Sequence, residues 1–169
     1  MTKSLAVQFA FVALLAAQQA KDDAWASLQF LVGEWAGAGN GQPGQGGGNC
    51  SFQPDLQRRI LVRKSYAEYP ATNQRPAFRH DDLMIVYPET GGLRAEYFDN
   101  EGHVIHYALR VAADSAEFLS DAAVGAPRYR LTYVKAGPDA LSMKFEVAPP
   151  GKPDSFQTYL DAKLRRAGR

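Results

Sequence analysis

The stretch Phe30-Leu31-Val32-Gly33-Glu34-Trp35-Ala36-Gly37-Ala38-Gly39 divides the chain into two kinds of pattern. Before it, Trp25, Leu28 and Leu31 or Val32 recur at helical spacing behind Asp22-Asp23, which can cap a helix. One short helix is therefore expected over Lys21 to Phe30, stopping at Gly33. After Trp35 the apolar period drops to two and stays there to the C-terminus. The segment looks like the anchor for a succession of short strands.

Those strands are bounded by turn residues. They are expected at Gly33 to Ala38, Cys50 to Asp55, Arg59 to Glu68, Phe78 to Tyr87 and Leu93 to Phe98. His103 to Val111, Ala116 to Ser120, Arg128 to Lys135, Ala140 to Val147 and Ser155 to Leu164 complete the set. Glu89-Thr90-Gly91-Gly92, Asp99-Asn100-Glu101-Gly102 and Ala136-Gly137-Pro138-Asp139 are short enough to make sequence neighbours pair antiparallel. Leu141, Met143, Phe145 and Val147 alternate with Ser142, Lys144 and Glu146. Ile105, Tyr107, Leu109 and Val111 share the parity of His103, and Phe156, Thr158, Leu160, Ala162 and Leu164 form another single row. A meander of about ten strands removes its edges best by closing on itself, so the fold expected is an all-β, antiparallel up-and-down barrel capped by the N-terminal helix. A β-sandwich has the same periodicity. A barrel of this size is wide enough for one small ligand.

Composition narrows the partners. In 169 residues, 19 basic side chains face 18 acidic ones, without the basic stripe that nucleic-acid binding needs. Leu5 to Ala17 is an apolar run after Lys3, followed by Gln18-Gln19-Ala20. It fits a secretory signal peptide over residues 1–20 and is shorter than the roughly 20 residues of a membrane span. Residues 21–169 then form one exported domain, periplasmic or extracellular. Cys50 is the only cysteine, so no internal disulfide supports the fold. Asn49-Cys50-Ser51 formally matches the N-x-S acceptor pattern.

Motifs for chemistry are sparse. Gly39 to Gly44 spells G-x-G-x-x-G, but Pro43 and Gly46-Gly47-Gly48 deny it the following helix that a dinucleotide site requires. It reads as a flexible connector or a lip at a barrel mouth. His103 and His106 point to opposite faces of a strand; His80 and Asp82 share one, which is too few ligands for a metal. No nucleophile elbow is present, and the carboxylates mostly sit at outward positions, so no catalytic residue is assigned. Arg128 and Arg130 flank Tyr129 on the opposite face; only a local bulge would turn them inward to hold a carboxylate.

Gly33-Glu34-Trp35 resembles the G-x-W of the lipocalins, and the run Phe30 to Gly39 is similar to that of nitrobindin-like haem-binding barrels, relatives of the fatty-acid-binding fold within the calycin group. Secreted bacterial lipocalin-like proteins share the pattern. Tyr97-Phe98-Asp99-Asn100-Glu101-Gly102-His103 resembles the mid-barrel hairpin of these families. The resemblance implies an up-and-down barrel and, among cofactors, haem held by a late-strand histidine. No histidine follows His106, so that ligand is not carried over. Nor is the last-strand Arg-x-Tyr pair of the fatty-acid-binding relatives, where Gln157-Thr158-Tyr159 stands instead.

The expected function is binding of a small apolar or amphipathic molecule, without catalysis. The helix and Trp35 close one end, and the candidate ligand-binding residues are Trp35, Tyr66, Tyr97, His103, Tyr107, Tyr133, Met143 and Phe145. Two rivals stand beside it: a filled-core structural or interaction barrel, and a lyase or isomerase working through tyrosine and His103.

Overall fold

The structure, a computed structural model, describes residues 25–37 and 47–168. The proposed signal peptide and the greater part of the Gly39 to Asn49 loop lie outside the described residues. A helical turn over residues 25–28 runs into a 3-10 turn, Gln29–Leu31. Ten strands follow: β1 Gly33–Gly37, β2 Gly47–Asp55, β3 Ile60–Tyr69, β4 Phe78–Glu89, β5 Gly92–Asp99, β6 Val104–Ala112, β7 Ser115–Ser120, β8 Arg128–Gly137, β9 Ala140–Ala148 and β10 Gln157–Arg166. Each pairs antiparallel with its sequence neighbours, and β1 also pairs with β10, so the sheet closes into a barrel.

Closure removes both edges of the sheet, and the alternation divides inside from outside. Charge pairs such as Arg110–Glu117 and Arg130–Glu146 decorate the outer face. The apolar row faces inward, the reverse of a lipid-facing barrel. No helix among the described residues is long and apolar enough to cross a membrane.

The opening motif builds the closed end. Leu28 and Leu31 are buried under the barrel, and the Trp35 indole nitrogen donates to the Leu31 carbonyl at 2.7 Å. The Arg166 guanidinium stacks 4.3 Å from the Trp35 ring centroid, and its Nη1 donates to the Val32 carbonyl at 3.1 Å. Gly33 sits at φ 129°, where a Cβ would meet Arg166 Nη1 at 2.3 Å. The backbone angle is what favours glycine here, and a side chain would also push the end of the Arg166 guanidinium aside.

In the final strand the register shifts between Thr158 and Leu160, a bulge that corrects the single-row expectation. Leu160 pairs with the inward Phe145, whereas Thr158 pairs with the outward Glu146. Phe156 accordingly lies outside, beneath the Arg130 guanidinium at 4.2 Å. Arg128 and Arg130 stay on the outer face, bound to Asp154 and Glu146.

Candidate functional site

Side chains fill the barrel near its closed end. Phe52, Tyr133, Phe118 and Tyr107 meet edge-to-face at centroid distances of 5.3, 6.2 and 6.2 Å, a packed aromatic chain across the interior. Above it, toward the end where β4 begins and β5 finishes, lies a cavity of about 370 Å³. One wall is apolar: Ile105, Tyr107, Tyr129, Met143, Phe145 and Ala162. The other is polar: Arg63, Asp82, Tyr97, His80, Asp99 and Glu101. A larger hollow of about 610 Å³ crosses the outside of β2 to β5. It is lined mainly by side chains of outward parity such as Lys64, Arg79 and Asp81, so it offers no enclosed site.

The polar wall begins with an ion pair. On β3, Leu61 and Arg63 are buried while Lys64 is exposed, which fixes the odd positions inward. Asp82 faces Ser65 in the register of β3 with β4, one step diagonal from Arg63 on the same face. Arg63 Nη1 donates to Asp82 Oδ1 at 2.5 Å, with the two side chains 7% and 5% exposed. Burial works against the charge on Arg63, but the Asp82 carboxylate beside it offsets that and the guanidinium stays protonated. Burial pushes the Asp82 carboxyl up, against the pull of Arg63 and His80. Burial likewise raises the Cys50 thiol and the Tyr97, Tyr107 and Tyr133 hydroxyls, so these groups stay protonated.

Beside the pair, with His80 Nε2 3.7 Å from Asp82 Oδ2, a hydrogen-bonded chain runs to the mouth. The Tyr97 hydroxyl lies 3.0 Å from His80 Nε2 and 3.2 Å from Asp99 Oδ2, and His80 Nδ1 meets Glu101 at 2.7 Å. Asp99 Oδ1 accepts from the Glu101 and His103 amides at 3.0 and 2.9 Å, while Oδ2 meets His103 Nδ1 at 2.9 Å. The D-x-x-G turn seen in the sequence is held by that one carboxylate.

Burial raises the Asp99 carboxyl, but the His103 amide and imidazole and the Glu101 amide outweigh it and hold the group below the ordinary carboxylate range. A carboxylate whose pKa is lower folded than unfolded contributes stability above the unfolded value, about 3.9. That stability is lost as pH falls through the folded value. Acidification below about pH 4 is therefore expected to loosen the Asp99–His103 turn. The readout is a drop in amide-exchange protection at Glu101 and His103 that Asp99→Asn abolishes. Protection that stays constant through acid would remove Asp99 from this role.

Seven of the sequence-derived candidates border the cavity: Tyr66, Tyr97, His103, Tyr107, Tyr133, Met143 and Phe145. Trp35 does not; it is part of the closed end. Tyr66 is corrected in orientation. Its even position on β3 points outward, where Arg79 stacks 4.0 Å from its ring and the Asn49 amide donates to its hydroxyl, so it touches the cavity only at the rim. His103 is also at the rim, 57% exposed and tied to Asp99. The charged part of the polar wall was missed: Asp82 and Asp99 are inward carboxylates rather than outward ones, and Arg63 was not singled out. Its signal was present, since Arg63 shares the parity of Leu61, and Asp82 that of Met84 and Val86.

Histidine ligation of haem, implied by the resemblance, does not fit the described residues. The imidazoles along the cavity are His80, which spends both ring nitrogens on Glu101 and Tyr97, and His103, which is tied to Asp99 at the rim. No group of three His, Cys, Asp or Glu among the described residues is arranged to hold a metal ion.

No family model and no curated protein matches the chain. Among solved structures it is similar to EF1p2_mFAP2b bound to DFHBI, at 12% identity over 84% of this chain and 98% of that one, with a TM-score of 0.32. At that level the likeness carries no argument about what this cavity holds, which rests on its own residues.

Proposed function

We propose that this chain is an exported, lipocalin-like barrel of the calycin type that binds one small apolar or amphipathic molecule and performs no chemistry on it. The observation that carries the reading is the cavity of about 370 Å³, with an apolar wall on one side and a hydrogen-bonding wall on the other. That volume is at the small end of ligand pockets, which run from about 300 to 1,000 Å³. Apolar contact with Ile105, Met143 and Phe145 supplies affinity at about 25 cal/mol per Å² buried, and the polar wall supplies orientation. Tyr129 and Phe145 stack at 5.9 Å with an interplanar angle of 9°, a flat surface suited to a ring or an extended chain. The apolar run Leu5 to Ala17 supports export.

The test is native mass spectrometry for a co-purified molecule, paired with titration of a neutral apolar fluorophore. Ala162→Phe puts a ring into the cavity wall and is expected to weaken fluorophore binding at least about tenfold while the far-ultraviolet spectrum stays that of the parent. Equal binding by the variant would place the fluorophore elsewhere and remove the cavity from the reading.

One observation favours a second reading. Glu101, His80 and Tyr97 form a relay at 2.7 and 3.0 Å, an arrangement a lyase or isomerase can use for proton transfer. A co-purified molecule converted on incubation with fresh protein would establish it; one recovered unchanged would retire it.

A further inference from the structure

The proposed binding reading leaves the chemistry of the ligand's polar end open, and the inference here rests on that reading. We infer that the ligand is a compact amphipathic amine, whose protonated nitrogen stays at the mouth beside Glu101 while its apolar end extends into the cavity.

Charge on the lining is one-sided. Among the described residues the cavity is bordered by one fixed cation, Arg63, and by three carboxylates, Asp82, Asp99 and Glu101. Arg63 and Asp82 are almost fully buried and paired with each other, so their charges offset locally. The charge left over lies toward the mouth, at Asp99 and Glu101, with the imidazoles of His80 and His103 as neighbours. A ligand carboxylate held there would meet like charge, and the lining's one arginine is already occupied by Asp82.

The two outer carboxylates are not equivalent. Asp99 takes the Glu101 and His103 amides on Oδ1 and the His103 imidazole on Oδ2, so both its oxygens are engaged. Glu101 meets His80 Nδ1 through Oε1; its second oxygen has no partner among the described residues, and the side chain is 45% exposed. An ammonium group carries only donors. One of them can bond the open oxygen of Glu101 while the others keep water, so the head group is held without full desolvation.

Aromatic rings surround the same part of the mouth. Phe78 lies 6.5 Å from the ring of His80, the imidazole that Glu101 holds, and stacks on Tyr69 at 5.8 Å. On β10, Tyr159 meets Phe145 edge-on at 6.0 Å. Phe78 and Tyr159 are both exposed and both border the cavity. The face of such a ring attracts a cation. Beside them the parallel rings of Tyr129 and Phe145, with Ile105 and Met143, give the apolar end of the ligand a flat wall. A cavity of about 370 Å³ suits a single ring on a short tether.

The test is displacement of the neutral fluorophore from the full chain, at low salt, by phenylpropylamine, phenylpropanol, phenylpropanoate and propylbenzene. These share a ring and a tether and differ in the end group. The amine is expected to compete about fivefold better than the alcohol and about tenfold or more better than the carboxylate. Glu101→Gln keeps the size of the side chain and an oxygen for His80 but removes the charge. It is expected to bring the ratio of amine to alcohol affinity close to one, a ratio in which any general weakening of the site cancels. A carboxylate that competes as well as the amine, an amine no better than the alcohol, or a ratio that Glu101→Gln leaves unchanged overturns the inference while the binding reading stands. Failure of the fluorophore and of every compound overturns the binding reading itself.

Discussion

Asp82→Ala is expected to destabilise the protein by about 3–5 kcal/mol, as breaking a buried ion pair from one side does. The cost arises from what remains. Arg63 is enclosed on the inner face of β3, and its guanidinium stays protonated in surroundings that offer no second carboxylate at hydrogen-bond distance among the described residues. Urea unfolding is the measurement, with the midpoint shift read at constant slope. Removing both charges together is a different matter. Arg63→Met with Asp82→Leu deletes the desolvation of two ions and replaces it with apolar contact, so it is expected to recover most of the loss and can equal the parent. If Asp82→Ala alone costs under about 1 kcal/mol, Arg63 has reached water and the polar wall described for the cavity is not formed as stated.

Trp35→Ala is expected to cost about 3–5 kcal/mol, the range for emptying a large aromatic site in a core. Trp35 is 1% exposed and links several parts of the closed end. It receives the cap through Leu31, carries Arg166 from β10 on its ring, and sits in β1 where the barrel is sealed. The seam is short: Trp35, Ala36 and Gly37 pair with Arg166, Arg165 and Leu164. Loss of the indole should therefore appear as early amide exchange in β1 and the end of β10, ahead of β3 and β4. Trp25→Ala, on a side chain only half-buried at the start of the helical turn, is expected to cost about 1 kcal/mol. Equal costs for the two tryptophans would deny Trp35 its role in closure.

Much of this architecture is legible in the amino-acid order because it is local. Strand positions follow from alternation over a few residues, and the turns from glycine, proline and asparagine, so the ten strands lie within a few residues of their expected bounds. The interior row of β3 is not legible in the same way. Its outward positions Ile60, Val62 and Tyr66 are more apolar than its inward positions Leu61, Arg63 and Ser65, and a rule that sends the greasier row inside assigns Tyr66 to the pocket. The rule inverts here because the barrel buries a salt bridge. Arg63 and Asp82 are 19 residues apart, and their meeting depends on how the connection from Tyr69 to Phe78 sets the register.

The final strand carries a similar lesson in a smaller space. Phe156, Thr158, Leu160, Ala162 and Leu164 keep perfect period two in sequence, yet the bulge between Thr158 and Leu160 turns the first two outward. A bulge leaves no mark on alternation; it shows only against the partner strand. Gly33 stands at the opposite extreme. Its identity follows from the helix-to-strand turn, which sets a positive φ that side chains rarely adopt.

Period and turn chemistry are properties of neighbouring residues, so the amino-acid order is enough to specify a run of antiparallel strands that begins around Trp35. The tertiary structure alone decided that β1 meets β10, that Arg63 faces Asp82, and that the aromatic chain from Phe52 to Tyr107 leaves space above it. Each of those depends on residues brought together from distant parts of the chain, where register and closure, not local pattern, set which side chains share the interior.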